Sequence, residues 1–251
     1  MLAELTAAAL DLVLPIACTA CVAPGSVLCA QCSTALSGPA RRVAPSPPPP
    51  GLPPTCAVAA YGGVVREVLL GHKEDGRSGL ARPLGDALAR AVLATLPGTT
   101  PPAVGGRFEA GAYCPPMLLV PIPPSAAARR RRGDDHALRL ARRAAWALRG
   151  VGWPAYAAAV LHHVRAVADQ GELDAVARAR NLAGALRMRR TVGSAPASAR
   201  VIVVDDVLTT GATLAEAARA LRAGGWSPTA AAVVAATTLR RGSGPIVARV
   251  D

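Results

Sequence analysis

Apolar and polar positions alternate in two registers along residues 55–251. TCAVAAY (55–61), MLLVPIP (117–123), AYAAAVLHHV (155–164), ARVIVVDDV (199–207) and TAAAVVAATTL (229–239) are short and almost unbroken in apolar character. That is the pattern of strands buried on both faces, and LRMRRTV (186–192) reads as a further, more polar strand. Between them lie helical periods. Residues 62–73 place Val65, Val68, Leu69 and His72 on one side, and 80–96 do the same with Leu84, Leu88, Ala91 and Val92. Residues 134–150 carry an inner stripe of Leu138, Ala141, Ala145 and Leu148, two aspartates at the start and Gly150 at the end. Residues 99–116 read as a loop, 168–186 as a polar loop followed by a short helix, and 213–225 as a helix stopped by glycines. Strands alternating with helices predict an α/β domain with a mostly parallel sheet.

The pattern changes before residue 55. SGPARRVAPSPPPPGLPP (37–54) is a Pro-rich linker, expected to form neither helix nor sheet. Residues 1–36 hold four of the cysteines. The chain therefore divides into 1–36, 37–54 and 55–251. Glu4 and Asp11 interrupt what would otherwise resemble a secretion signal, and an amphipathic helix with Leu2, Leu5, Ala9 and Leu12 on one face is expected instead. No later run is long and charge-free enough to span a bilayer. The expectation is no membrane insertion and a cytoplasmic location.

Composition adds a core of Ala, Val and Leu, since only 3% of the 251 residues are aromatic. The net charge is +12, which favours anionic ligands such as phosphates or nucleic acid. Lys73 is the sole lysine; every other strongly basic residue is Arg.

The chemistry concentrates in VIVVDDVLTTGAT (201–213). Ligands of open α/β sheets sit beyond the carboxyl ends of the strands. A strand ending at Asp205, followed by a helix starting near Thr213, places the intervening loop there. Thr209, Thr210, Gly211, Ala212 and Thr213 offer hydroxyls, backbone N–H groups and a helix start, a seat for a monophosphate. Gly211 allows close backbone approach. Two carboxylates would repel that phosphate, so Asp205 and Asp206 suit ribose hydroxyls or a magnesium ion on the same ligand. The ligand expected is a ribose 5-phosphate unit.

This stretch resembles the phosphoribosyl pyrophosphate (PRPP) motif of type I phosphoribosyltransferases. By that resemblance Asp205 and Asp206 hold the ribose hydroxyls and 209–213 hold the 5-phosphate, with magnesium accompanying PRPP. Thr209 stands where enzymes acting on 6-oxopurines usually carry an acid. The candidate for the pyrophosphate is LLVPIPPSAAARRRRGDDH, where Arg129, Arg130, Arg131, Arg132 and Gly133 follow a strand and a Pro-rich turn and precede a helix. A solvated basic turn is the alternative. In order, VPIP…RRRG, ADQ…RARNLAGAL and VVDDVLTTGAT, together with LLGHK at Lys73 and the N-terminal cysteines, resemble the ComF family of competence-associated phosphoribosyltransferase-like proteins. The resemblance implies the type I phosphoribosyltransferase fold and a hood over the ligand with Gln170, Arg178 and Asn181. Many relatives follow Arg-Gly with an aromatic and Asn; here Asp134, Asp135 and His136 follow.

Cys18, Cys21, Cys29 and Cys32 form CxxC-x7-CxxC, the spacing of a structural four-cysteine zinc module. Without an export signal a disulfide framework is disfavoured, and a redox CxxC would need only one pair. Cys56 and Cys114 read as small buried apolar residues, and His72, His162 and His163 as structural.

Three functions fit. One is transfer of a phosphoribosyl group from Mg–PRPP to an unidentified acceptor, with release of pyrophosphate. The second, implied by the resemblance, is a non-catalytic accessory protein that binds single-stranded DNA in DNA uptake, alongside a DNA-uptake helicase. The third is a PRPP-responsive regulator. The scarcity of aromatics counts against the second.

Overall fold

The computed structural model describes residues 16–96, 115–166 and 175–237. The expected N-terminal amphipathic helix, most of the 99–116 loop, Cys114, Gln170 and the end of the last expected strand lie outside these residues.

The strands are β1 (Arg41–Val43), β2 (Thr55–Ala60), β3 (Met117–Pro121), β4 (Ala155–Ala157), β5 (Leu161–His163), β6 (Leu186–Met188), β7 (Arg200–Leu208) and β8 (Pro228–Ala236). The helices are α1 (Ala30–Ser33), α2 (Gly63–Lys73), α3 (Ala81–Leu93), α4 (Ala126–Arg132), α5 (His136–Gly150), α6 (Ala175–Leu182) and α7 (Ala212–Ala223). Six strands form one sheet in the order β1-β2-β8-β7-β3-β4, parallel except for β1. This is the mixed α/β architecture that the alternating pattern predicts.

Alternation along β7 shows how both faces are filled. Ile202 and Val204 pack with Val68 and Leu69 of α2, Leu84 and Leu88 of α3, and Leu140 and Leu148 of α5. Val201 and Val203 face the other way, against Leu214, Ala217 and Leu221 of α7. Few core residues are bulky, so backbones approach closely. A Cβ on Gly85 of α3 would stand 2.6 Å from the Cβ of Arg143 on α5. The predicted inner residues of α2 and α3 are buried. On α5 the stripe is broader, with Leu140 and Ala144 buried and Leu138 only half-buried.

Three expectations need correction. The 37–54 segment does enter the sheet: Arg41–Val43 pairs antiparallel with Thr55–Ala57, because a chain that turns back beside an edge strand satisfies that strand's open hydrogen-bonding groups. Its later part packs against α7, where Arg222 donates to the Gly51 carbonyl at 3.2 Å. The expected strand 155–164 is two strands in different sheets. Ala155–Ala157 extends the main sheet beside β3, and Leu161–His163 leaves it to pair antiparallel with β6. Finally, β7 runs to Leu208, close to the 199–207 strand expected, so Asp205 and Asp206 lie within the strand and Asp205 is not its end.

The β5–β6 pair and α6 form a small excursion on the α7 side. Buried Glu216 of α7 anchors it, accepting the Leu186 N–H at 3.0 Å and two Arg219 donors at 2.7 and 2.8 Å. Burial works against the Glu216 charge, but Arg219 and the backbone donors outweigh it and hold the carboxyl below the usual range. Among the described residues, no helix is long and apolar enough to cross a membrane.

Candidate functional site

From β3 the chain crosses through α5 to β4, away from β7; from β7 it crosses through α7 to β8, in the opposite direction. The boundary between β3 and β7 is therefore the topological switch point, where a crevice opens above the strand ends. β3 pairs with β7 only as far as Pro121 opposite Val204. Asp205, Asp206, Val207 and Leu208 extend past that end and keep only β8 as a neighbour. The Val204 carbonyl still accepts from Ile122, so Asp206, two residues on, turns its backbone toward the same vacated side. Its N–H is satisfied by Asp205 Oδ1 at 2.9 Å.

The two carboxylates alternate across the strand. Asp206 is on the α2/α5 side, 5% exposed, with Lys73 Nζ at 3.1 Å and His136 Nε2 at 3.7 Å from its Oδ2. Asp205 is half-buried. Burial and the adjacent Asp206 charge push its carboxyl well above the usual range. Burial also opposes the Asp206 charge, but Lys73 and His136 outweigh it and hold that carboxyl low. The pair thus divides into one carboxyl that tends to keep its proton and one held as an anion. Buried His72 stands nearby; burial and Arg139 push its imidazole down toward the neutral form.

Thr209 to Gly211 lead from β7 into α7, and Thr210, Gly211 and Ala212 sit at the helix start. Gly211 is left-handed at φ 76° and has no side chain to cap the helix. The Thr210 hydroxyl accepts from Ala212 N–H at 3.4 Å. The Pro-rich segment also approaches Gly211: an added Cβ would lie 3.2 Å from Pro49 and from Leu52.

The arginine run is a helix, not a turn. Ser125 caps α4 by accepting from Ala128 N–H, and Gly133 ends it at φ 71°. The arginines occupy its last turns, where cations complement the helix dipole. Arg129, Arg130 and Arg131 are exposed, and Arg131 pairs with Glu74 at 3.3 Å. The Arg132 side chain lies outside the described residues. Asp134 and Asp135 are already engaged. Asp134 pairs with Arg139, and Asp135 caps α5 by accepting from Leu138 N–H at 2.9 Å. The start of α5 is thus capped by its own carboxylate, which weakens it as an anion seat. Arg178 and Asn181 lie on α6, which packs against α7. The Arg178 side chain lies outside the described residues, as does Gln170.

Reading the sequence for motifs missed Lys73 and His136 as partners of Asp206. One signal was available for Lys73: a single lysine among 28 strongly basic residues. His136, read only as a replacement for family residues, is the first residue of α5 and thus points into the crevice. A cavity of about 500 Å³, lined by Arg42, Cys56 and Arg200 among others, lies at the opposite ends of the strands, away from this chemistry.

The four N-terminal cysteines converge. Their Sγ atoms all lie within 4.8 Å of one another, and Cys21 and Cys29 are 3.6 Å apart. Tetrahedral zinc with Zn–S of about 2.3 Å needs sulfurs about 3.8 Å apart, so the set fits zinc. Backbone N–H groups point at the sulfurs, Cys29 N at Cys18 Sγ and Cys32 N at Cys29 Sγ, both 3.4 Å. Burial opposes the Cys18 thiolate, yet the N–H groups of Cys29, Cys21 and Ala20 bring that thiol down to about 6. Burial and the neighbouring thiols push Cys32 up to about 12. A four-sulfur site has no open position, which suits a structural metal. Val22, after the first knuckle, is left-handed at φ 64°, a strained conformation for a β-branched residue. Val22 is exposed, so Val22→Gly should stabilise the protein by about 1 kcal/mol, read as a raised urea midpoint at unchanged slope.

No protein-family model matches this chain, and no curated protein matches it.

Proposed function

We propose that the switch-point crevice binds the magnesium complex of PRPP and that the protein transfers its phosphoribosyl group to an acceptor, releasing pyrophosphate. The observation that carries this reading is the placement of Asp205 and Asp206 beyond the end of β3, beside the start of α7, where Gly211 at the cap position has no side chain to occupy the helix end. The helix start suits the 5-phosphate. The ribose diol offers hydroxyl donors to Asp206, which would free the Lys73 ammonium for the ligand's anionic oxygens. Asp205, inclined to hold its proton, can contact the sugar without a second negative charge beside the phosphates. Breaking the bond to pyrophosphate then depends on positioning and charge stabilisation rather than on a side-chain nucleophile. The cysteine module, the basic charge and the motif order support membership of the ComF family.

Calorimetric titration with Mg–PRPP tests the reading, beside the Asp205→Asn/Asp206→Asn double variant. Micromolar affinity that falls by about a hundredfold in the variant is expected, since the charge-assisted contact of Asp206 and the neutral hydrogen bond of Asp205 to the sugar are both lost. No heat of binding in the folded wild-type protein would refute it.

A second reading has its own observation. The outer face of α5 carries exposed Arg142, Trp146 and Arg149, and at its edge stands half-buried Arg143, paired with Asp86 of α3 at 3.2 Å. Exposed Trp146 has the Arg143 guanidinium 4.0 Å above its ring, and exposed Tyr156 has that of Arg149 at 5.9 Å. Arginines interleaved with exposed rings suit stacked bases, and so a single-stranded DNA-binding accessory role. Steeply salt-dependent oligonucleotide binding, lost in Trp146→Ala/Tyr156→Ala but kept in the aspartate variant, would favour it.

A further inference from the structure

The cysteine module and the crevice share one turn of chain. On the module side, Thr19 lies so close to α2 that a Cβ on Gly71 would stand 2.4 Å from its Cγ2. Val27 does the same at Gly79, at 3.1 Å. Arg77 ties the two parts polarly, donating to the Ala17 carbonyl at 3.3 Å and to Thr19 Oγ1 at 3.2 Å. Thr19 is itself fixed within the module, its N–H and hydroxyl both donating to the Val27 carbonyl at 3.0 Å. Thr19 also follows Cys18 directly, so the sulfur cluster sets its position. On the crevice side, the same stretch supplies Lys73 to Asp206 at 3.1 Å and Glu74 to Arg131 at 3.3 Å. Gly71 is two residues before Lys73 and on the same helix.

We infer that the cysteine module is a positioning element for the crevice, and that its metal-bound form holds the 71–80 turn so that Lys73 stays on Asp206. Thr19, Gly71 and Arg77 are the positioning residues. Four clustered thiols need a cation to ionise together, so loss of the metal loosens the cluster, then Thr19, then the last turn of α2. Metal occupancy thereby controls the crevice without touching a residue that lines it. The inference rests on the Lys73–Asp206 pair and does not require PRPP to be the ligand.

Because Lys73 is the only lysine, a limiting amine-reactive acetylating reagent reads its environment directly, with the N-terminal amine as the internal reference. Chelating the metal from the full chain should raise the Lys73 labelling rate about fivefold, equivalent to about 1 kcal/mol of lost pairing. Gly71→Val, with metal retained by elemental analysis, should do the same. Asp206→Asn sets the rate for a fully broken pair. Far-UV circular dichroism establishes that the α/β domain stays folded in each sample, and Arg77→Ala, a milder change, replaces Gly71→Val if that variant does not fold. Unchanged Lys73 labelling after verified metal loss, and in the undocked variant, would overturn the inference.

Discussion

Asp205→Asn should stabilise the protein at neutral pH, while Lys73→Met should destabilise it, and both effects should grow as pH rises. An unfolded chain ionises aspartate near pH 3.9. The folded chain holds the Asp205 proton to higher pH, because the half-buried group loses hydration and the Asp206 charge lies beside it. The stability from that raised value is fully present below about pH 3.9 and is lost as pH rises through the folded value. Asparagine cannot ionise, so the variant escapes this loss and should gain about 1–2 kcal/mol at pH 7–8. Asp206 behaves oppositely: its folded value is lowered, so its contribution is present above about pH 3.9 and fades as pH falls through the folded value. Lys73→Met removes the cation responsible and leaves two carboxylates adjacent. Loss of one partner of a buried pair costs about 3–5 kcal/mol, and with Lys73 side-chain exposure at 32% the expected cost is about 2–3 kcal/mol. Urea unfolding at about pH 4 and about pH 8 separates the two variants. A loss of stability in Asp205→Asn at about pH 8, or the same change at both pH values, would show that the carboxyl pair is not divided in this way. A gain in stability together with lost ligand affinity would mark Asp205 as a residue kept for binding at the expense of the fold.

Removing the metal should have the larger structural effect. The protein should carry one zinc per chain, and chelation should unravel the module at residues 16–36 while the α/β domain melts as a separate, lower transition. Zinc contributes about 10–16 kcal/mol to folding of isolated zinc-finger peptides, and only part of that is lost here because the module also packs on α2 and α3. Undocking exposes Leu36 and Leu80, 2% and 0% exposed in the structure. Protons compete with the metal for thiolates, so affinity should fall as pH drops, Cys32, pushed up to about 12, being the costliest thiol to ionise without the metal. Elemental analysis and calorimetry with and without chelator measure this. A protein purified without stoichiometric metal, or a melting curve indifferent to chelation, would mean that the sulfurs gather through thiol packing alone.

Much of this was legible in the linear pattern because it depends on short-range physics. Apolar runs such as 201–204 and the four-residue spacing of Leu84, Leu88 and Val92 specify strand or helix through periodicity, and these elements form where expected. The cysteine spacing likewise announced a four-ligand cluster, since each CxxC knuckle is a local turn. The two aspartates and the following Thr/Gly stretch could be placed at a strand end before a helix for the same reason. The same local reasoning failed where partners are distant. Pro-rich residues looked unable to join a sheet, yet 41–43 do, because the edge of β2 supplies the hydrogen bonds. The 155–164 run reads as one strand by composition, and only competition between β3 and β6 for its two halves divides it.

By itself, then, the sequence determined the element types, the mostly parallel α/β class, the four cysteines clustered so as to be able to hold a metal, and the acidic strand end, each written in residues close together in the chain. The tertiary structure alone decided which cation meets which acid. Lys73 reaches Asp206 across 133 positions, His136 joins from the start of α5, and Leu52 fills the space over Gly211. No local periodicity encodes those meetings. They follow from the strand order, which brings the ends of α2, α5 and β7 to one switch point, and from burial, which makes an unpaired carboxylate there too costly to leave alone.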